Sequence, residues 1–394
     1  VTTRQPDLIS RRDGDLLRST SSFLVVVIHC ISLWVKDFYA THDFLTPGFL
    51  ATIFDQLSRF TVPTFFFLSG YGLTQQILAL KQPEPLLHYY RHRLFKISVP
   101  FFAWSALTIY RPWNRIVALP WAEHPVRALG GFLDLLLLRG FDYQYYFLIV
   151  IFQFYVIFPF IYKLGRARWF VFLCLLLQIP VMSPIEGYLR LGGWELPHLY
   201  SFLLVFYVFY FVAGIHSAWH PELFSRLLSR ASRAQVWTFW FGALALTVAE
   251  YWVNIDVLKK PLPYADHFNR WAVLVYCFAT FLLLLKHREP LRIHVHENPR
   301  WRFLYTTFTP FSFFVYLAHT HFLRLANHFL WGLNPAYLVA RVAFVAGMSY
   351  LAAWTLQAVL ENYPHLRFAL GLPKAPLRRE HFPDASFFRK NPAS

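Results

Sequence analysis

Arg18 and His29 stand eleven positions apart in the run Leu17-Arg18-Ser19-Thr20-Ser21-Ser22-Phe23-Leu24-Val25-Val26-Val27-Ile28-His29-Cys30. Eleven residues of α-helix advance roughly 16 Å and turn about 1100°, only about 20° past three full circles, so the two side chains share a face. The run opens the first apolar segment, which sets the guanidinium at a membrane surface and the imidazole near mid-bilayer. A guanidinium fork matches phosphate oxygens. A neutral imidazole can take a proton from a hydroxyl as it attacks a thioester. The pair could therefore hold an anionic cofactor at the surface and do proton chemistry deeper down. The plainer readings are a positive-inside anchor for Arg18 and a core histidine bonded to a neighbouring helix for His29. The polar stretch Ser19–Ser22 between them favours the functional reading, because a helix lining a polar cavity tolerates it and a lipid-facing helix does not.

Further candidates lie along the chain. Tyr89-Tyr90-Arg91-His92-Arg93-Leu94-Phe95-Lys96 is a dense basic stretch. Arg93 and Lys96, three apart, share a helical face. With Arg18 and Arg91 they could form a pocket for a phosphorylated nucleotide, although a charge run beside a membrane is usually a topology anchor. Arg59-Phe60-Thr61-Val62-Pro63-Thr64-Phe65-Phe66-Phe67-Leu68-Ser69-Gly70-Tyr71-Gly72 places a proline where a kink is expected and small residues where helices approach closely. Ser69 and Tyr71 are substrate-contact candidates there, and packing is the alternative. Tyr145 and Tyr146 belong to an aromatic cluster that fits an interfacial belt or sugar stacking. Glu250 and His319 are intramembrane polar groups that could assist proton transfer or pair within the bundle. His287, His294 and His296 lack a convincing ligand spacing, and no metal is expected.

These residues need a membrane framework. The chain has 394 residues, 57% hydrophobic and 15% charged, with 43 Phe, 22 Tyr and 14 Trp. About ten apolar segments read as transmembrane helices, at 19–35, 60–80, 97–110, 145–162, 169–183, 199–215, 235–253, 271–285, 303–323 and 337–360. The start of the third could lie a few residues earlier. The expected fold is all-α and polytopic, with both termini cytoplasmic. With that topology the inner pieces hold 25 of the 37 Lys and Arg, while the 21 acids divide 10 inside and 11 outside. The formal charge of +16 is thus a topology signal, and nucleic acid is not an expected partner. Residues 1–18 read as a polar cytoplasmic tail, 19–362 as the membrane domain, and 363–394 as a poorly ordered cytoplasmic tail. The first apolar run should remain as an anchor, with no cleaved signal. Cys30, Cys174 and Cys277 fall in apolar segments and imply no disulfides. Phe132–Leu138, in the long outer connection 111–143, reads as an interfacial or re-entrant helix over the outer mouth.

The order of motifs resembles the membrane-bound acyltransferase family 3. The motifs are Arg-x10-His into the first helix, Pro-x-Phe-Phe-Phe-x-Ser-Gly-Tyr in the second, a basic Tyr-Tyr-x-x-Arg stretch running into Pro100, Tyr-Tyr-Phe-Leu at the start of the fourth, and Tyr-Leu-x-His in the ninth. The resemblance runs from about residue 13 to 360. It implies a bacterial inner-membrane enzyme that moves an acyl group from cytoplasmic acyl-CoA to a hydroxyl of an extracytoplasmic glycan or other cell-surface acceptor. It carries His29 over as catalytic base and Arg18 as part of the donor site. Lys96 departs from a motif that usually ends in Arg, which weakens bidentate phosphate contact there. Tyr145 or Tyr146 stands where many relatives have Trp. Some relatives carry a fused extracytoplasmic hydrolase-like domain; without one, the membrane domain or a separate partner protein would complete transfer. The Gln153–Tyr155 region is most similar to the branch associated with polysaccharide succinylation.

The expected protein is therefore a membrane-bound O-acyltransferase. Acetyl-CoA or succinyl-CoA is the donor, and no permanently bound cofactor is expected. A transporter or flippase for a polysaccharide or lipid-linked intermediate also fits ten helices and a polar cavity, though the absence of an internal repeat speaks mildly against it. Nothing specific supports a membrane sensor.

Overall fold

In a computed structural model, described over residues 8–80, 85–138, 141–181, 203–291, 298–299, 301–302, 308–330 and 332–373, the chain is entirely helical, with no strand among the described residues. The helices are α1 (Arg11–Thr41), α2 (Pro47–Ser58), α3 (Thr61–Ala79), α4 (Leu86–Thr108), α5 (Trp113–Val117), α6 (Pro125–Leu133), α7 (Tyr146–Ile161) and α8 (Arg168–Val181). They continue as α9 (Val208–Trp219), α10 (Pro221–Arg230), α11 (Arg233–Trp252), α12 (Leu262–Ala265), α13 (Trp271–Lys286), α14 (Ser312–Phe329), α15 (Pro335–Val359) and α16 (Pro364–Ala369). Asp13–Thr41, Tyr143–Ile161, Arg233–Val257 and Pro335–Val359 are long and apolar enough to cross a bilayer, and α8, α9 and α13 include shorter apolar stretches. Each of the ten apolar segments expected from the sequence overlaps a helix. The molecule is a membrane protein.

Helix α1 is 31 residues long without a break. It starts at a capping box: Ser10 Oγ accepts from Asp13 N, and Asp13 Oδ2 accepts from Ser10 N. The expected tail is therefore in part helix, and Leu8 and Ile9 before it are buried. The third expected segment, 97–110, begins earlier, at Leu86, so the basic stretch lies on α4 itself. The sixth and ninth are shifted, to Val208–Trp219 and Ser312–Phe329; residues 199–202 and 303–307 lie outside the described residues.

Pro63 does not kink a helix. It sits in the first turn of α3, where its missing N–H has no helical acceptor to lose. The direction change falls instead between α2 and α3, at Arg59 and Phe60. Helix α2 itself lies in a segment expected as a plain connection. It folds back on α1, with Gly48 so close to the Trp34 carbonyl that a Cβ would stand 2.7 Å from it. The outer connection 111–143 carries α5, α6 and a π-helical turn at Asp134–Leu138, gathered around Ile116, Leu135 and Phe141.

The expected disorder from residue 363 is not what the chain does up to Pro373. Helix α16 packs against α4, Trp104 Nε1 donates to Leu370 O (3.2 Å), and Gln357 Nε2 donates to Pro373 O (3.2 Å). Gly371 makes the turn with φ +76°, and a Cβ there would stand 2.8 Å from the Phe313 ring. Residues 374–394 lie outside the described residues.

The closest helix crossing joins α3 and α9. A Cβ on Gly70 would lie 2.1 Å from Phe211 O, and one on Gly214 would lie 2.1 Å from Phe67 O. Backbone touches backbone, as small residues allow inside membranes. All three cysteines are buried and free. Gly214→Val should destabilise the fold by more than the ~1–3 kcal/mol typical of overpacking, because the obstacle is backbone. Gly242→Ala, where an added Cβ meets nothing within 4 Å, should be neutral or slightly stabilising. Thermal unfolding in detergent compares the two.

Candidate active site

Four helices bring their polar positions together at the Arg18 end of the bundle. Arg18 (α1), Ser69 (α3), Arg93 and Lys96 (α4) and Tyr155 (α7) line two adjoining cavities at once, one of about 450 Å³ and one of about 680 Å³. Arg18 Nη1 pairs with Asp15 Oδ1 at 3.0 Å, and Arg93 Nη2 donates to Gln76 Oε1. The Tyr155 side chain lies beside Ser69 and in the field of Arg93 and Arg18. Arg91 lies apart, in a separate groove with His88 and His92 that shares Lys96 and Phe368 with the smaller cavity. Tyr71 lines the larger cavity, and its hydroxyl accepts from Ile9 N (2.9 Å), tying the first described residues to α3.

The smaller cavity is mostly apolar and runs toward the bundle's middle. Ser22, Phe65, Phe147 and Tyr316 line it. Of the small polar residues before Phe23, Ser21 and Ser22 are buried and Ser22 lines the cavity, while Thr20 is exposed. One helical turn past Tyr316 on α14 is His319, whose ring stacks on His29 with centroids 5.2 Å apart and planes at 20°. Tyr143 meets His29 edge-on at 4.9 Å. His319 Nδ1 lies 2.8 Å from Tyr316 O and 3.2 Å from Val315 O, so Nδ1 carries the proton and donates. Its Nε2 then holds a lone pair, buried and without a hydrogen-bond partner among the described residues.

Two buried ionic clusters flank the imidazoles on the side away from Arg18. In one, the Asp142 carboxylate pairs with Arg111, accepts from Thr320 Oγ1 (2.6 Å), and faces Arg324 at 3.8 Å. Gln144 Nε2 donates to the same Thr320 hydroxyl (2.8 Å), and Tyr316 donates to Gln144 O. Asp142 also caps the turn Tyr143–Tyr145. One carboxylate therefore orients Tyr143 through its own turn and the α14 segment of His319 through Thr320. In the other cluster, Arg59 bridges Asp55 and Asp266, with Nη2 3.0 Å from Asp266 Oδ2. Arg270 reaches Gln56, Thr247 O and Glu250. His29 lies within electrostatic reach of Arg59.

The sequence candidates therefore separate. Arg18, Ser69, Arg93 and Lys96 meet at one cavity wall, and His29 meets His319. Glu250 accepts from Ala272 N (3.2 Å) and pairs with Arg270 inside the bundle. Tyr145 is fully buried in the core, against Phe101, which leaves no face for a sugar. Tyr146 stacks on Phe268. His294 and His296 lie outside the described residues. Asp142, Arg111, Thr320, Tyr155, Asp55 and Arg59 were not singled out by the sequence. The one available signal was the charge of residues adjoining apolar runs, which a membrane interface explains equally well.

The stacked imidazoles of the half-buried His29 and the buried His319, one turn beyond Tyr316 of a cation-lined cavity and within apolar helices, have the character of a membrane-embedded active site. The chain belongs to acyltransferase family 3: the family described as an acyltransferase domain matches residues 13–356. No curated protein and no solved structure matches the chain. Family membership decides for the enzyme over the transporter.

Removing the Asp142 carboxylate would strand Arg111 without its partner at a site where both side chains are under 5% exposed. Asp142→Ala should cost about 3–5 kcal/mol of stability. The measurement is thermal unfolding in detergent, with Asp142→Asn retaining part of the loss.

Proposed function

We propose that the protein is an O-acyltransferase of the bacterial cytoplasmic membrane, with about ten transmembrane helices and cytoplasmic termini. It takes an acetyl or succinyl-type group from cytoplasmic acyl-CoA to a hydroxyl of an extracytoplasmic glycan or similar acceptor. The observation that carries this reading is that Arg18, Arg93 and Lys96 line an apolar cavity bounded on α14 by Tyr316, one helical turn before His319, whose ring stacks on His29. Donor phosphates meet the cations. The acylated arm follows α1 past Ser22 and brings the thioester carbonyl toward His29, roughly 16 Å along the helix from Arg18. An acceptor hydroxyl comes from the opposite face, beneath the 111–143 connection. His29 removes its proton as the oxygen attacks the carbonyl; the thiolate leaves and takes up a proton. The lipid bilayer is the site's solvent, and a separate extracytoplasmic protein could present the acceptor.

His319 positions the His29 ring and keeps the neighbouring space polar. Ser69 and Tyr155 offer hydroxyls to the donor at the narrowing between the cavities. Arg91 stands in the adjoining groove, where a flexible phosphate of the donor or an acidic lipid would meet it.

The roles differ kinetically. Arg18→Ala should raise KM for acetyl-CoA roughly ten- to a hundredfold, the loss of one charge-assisted contact. His29→Ala should lower kcat by about 10²–10⁴ with a smaller change in KM. Steady-state rates of purified protein with acetyl-CoA and succinyl-CoA test both. A larger KM effect from His29 than from Arg18 would reverse the assignment. Separately, calorimetry of wild type with each thioester should give saturable binding that Arg18→Ala weakens.

A further inference from the structure

The two cavities at the Arg18 end are stacked along the helix axes, and four helices order them identically. On α1 the larger cavity touches residues 10–18 and the smaller 18–22; on α3 the larger touches 68–76 and the smaller 65–69. On α7 the larger touches only Tyr155, while the smaller touches 147–155. On α4 the larger touches only Arg93 and Lys96, and the smaller extends from them to Pro100. The boundary on every helix is the same ring: Arg18, Ser69, Arg93 with Lys96, and Tyr155.

The chambers on either side of this ring differ in chemistry. The one toward His29 is walled by Phe65, Phe147, Ile151 and Phe313. The one toward the N-terminus offers Ser10, Asp15, Gln75 and Gln76, with Tyr71. These are hydroxyl, carboxylate and amide groups, suited to ribose hydroxyls and to the edge of a purine. Asp15, paired with Arg18, disfavours a phosphate deep in the chamber, so the donor's pyrophosphate and its ribose 3′-phosphate both turn toward the ring cations while the ribose and purine enter the chamber. Gly72 keeps the floor open: a Cβ there would stand 3.6 Å from Arg18 Nη2, and any larger side chain would extend into the chamber.

We infer that the polar chamber between the start of α1 and the end of α3 is a nucleoside subsite, which holds the ribose and purine of the donor while the ring holds its pyrophosphate and the apolar chamber its thioester arm. This rests on the acyl-CoA reading above and adds to it a second binding site, made by residues 10–15 and 71–76, that contributes affinity but no chemistry.

The test compares acetyl-CoA with S-acetyl-4′-phosphopantetheine, which keeps the arm and a phosphate but lacks the nucleoside. Wild type should bind acetyl-CoA at least tenfold more tightly, and adenosine 3′,5′-bisphosphate should compete. Gly72→Leu should bring acetyl-CoA down to the affinity of the truncated thioester, leave that thioester's own affinity unchanged, and abolish competition by the bisphosphate. Gln75→Ala, which removes one amide without adding bulk, should give a partial loss in the same direction and guards against misfolding of the first variant. Equal losses for both thioesters in both variants, or none for either, would overturn the subsite. Failure of wild type to bind either thioester would instead overturn the acyl-CoA reading itself.

Discussion

Everything at this site hangs on one unbroken helix. Because α1 runs from Arg11 to Thr41 without interruption, the rotation and distance between Arg18 and His29 are fixed by helical geometry. The other elements are arranged to serve that rod. Helices α3, α4 and α7 supply Ser69, Arg93, Lys96 and Tyr155 to its N-terminal third. Helix α14 supplies His319 two-thirds of the way along. Helix α2 doubles back on its C-terminal part. A kink between residues 18 and 29 would swing the Arg18 guanidinium away from the line of the His29 imidazole, and the sequence there has neither Pro nor Gly.

The second organising constraint is the cost of charge away from water. Asp142, Arg111, Asp55, Arg59 and Arg270 are almost wholly buried, and each has a partner of opposite sign or several hydrogen-bond acceptors. Such pairs add little net stability compared with apolar packing, but they dictate geometry, since a guanidinium and a carboxylate satisfy each other in few arrangements. The clusters flank His29 and His319 on the side away from Arg18. They hold polar groups there without leaving them free to wander, and so give the site its shape on the side where the helices themselves are short or irregular.

The sequence revealed what helical periodicity encodes. Arg18 and His29 on one face, the polar Ser21 and Ser22 toward a cavity, and Arg93 beside Lys96 all follow from a repeat of 3.6 residues. It did not reveal α2, which is twelve residues long and turns Thr52, Asp55, Gln56 and Ser58 inward against protein, so neither length nor hydropathy marks it. Nor did it pair His29 with His319, 290 positions away, because nothing local in either segment encodes their meeting. Asp142 looked like one loop charge among several. The prolines and charges after residue 362 suggested disorder, yet Phe368, Leu372 and Pro373 complete the apolar cavity. Composition reports the average character of a segment, and here Arg367 to Pro373, with a turn at Gly371, pack onto the bundle while residues 363–366 stay exposed.

That last contact bears on how the enzyme is made. The wall of the apolar cavity is built in part from α1 and in part from residues 368–373, about 350 positions later in the chain. A ribosome threading the helices into the membrane in order delivers Arg18 first and this wall last. Until then the apolar cavity lacks the part of its wall formed by Phe368, Gly371, Leu372 and Pro373. The cavity is thus enclosed only once residues 368–373 have packed, and a chain not yet synthesised that far cannot surround a ligand in it.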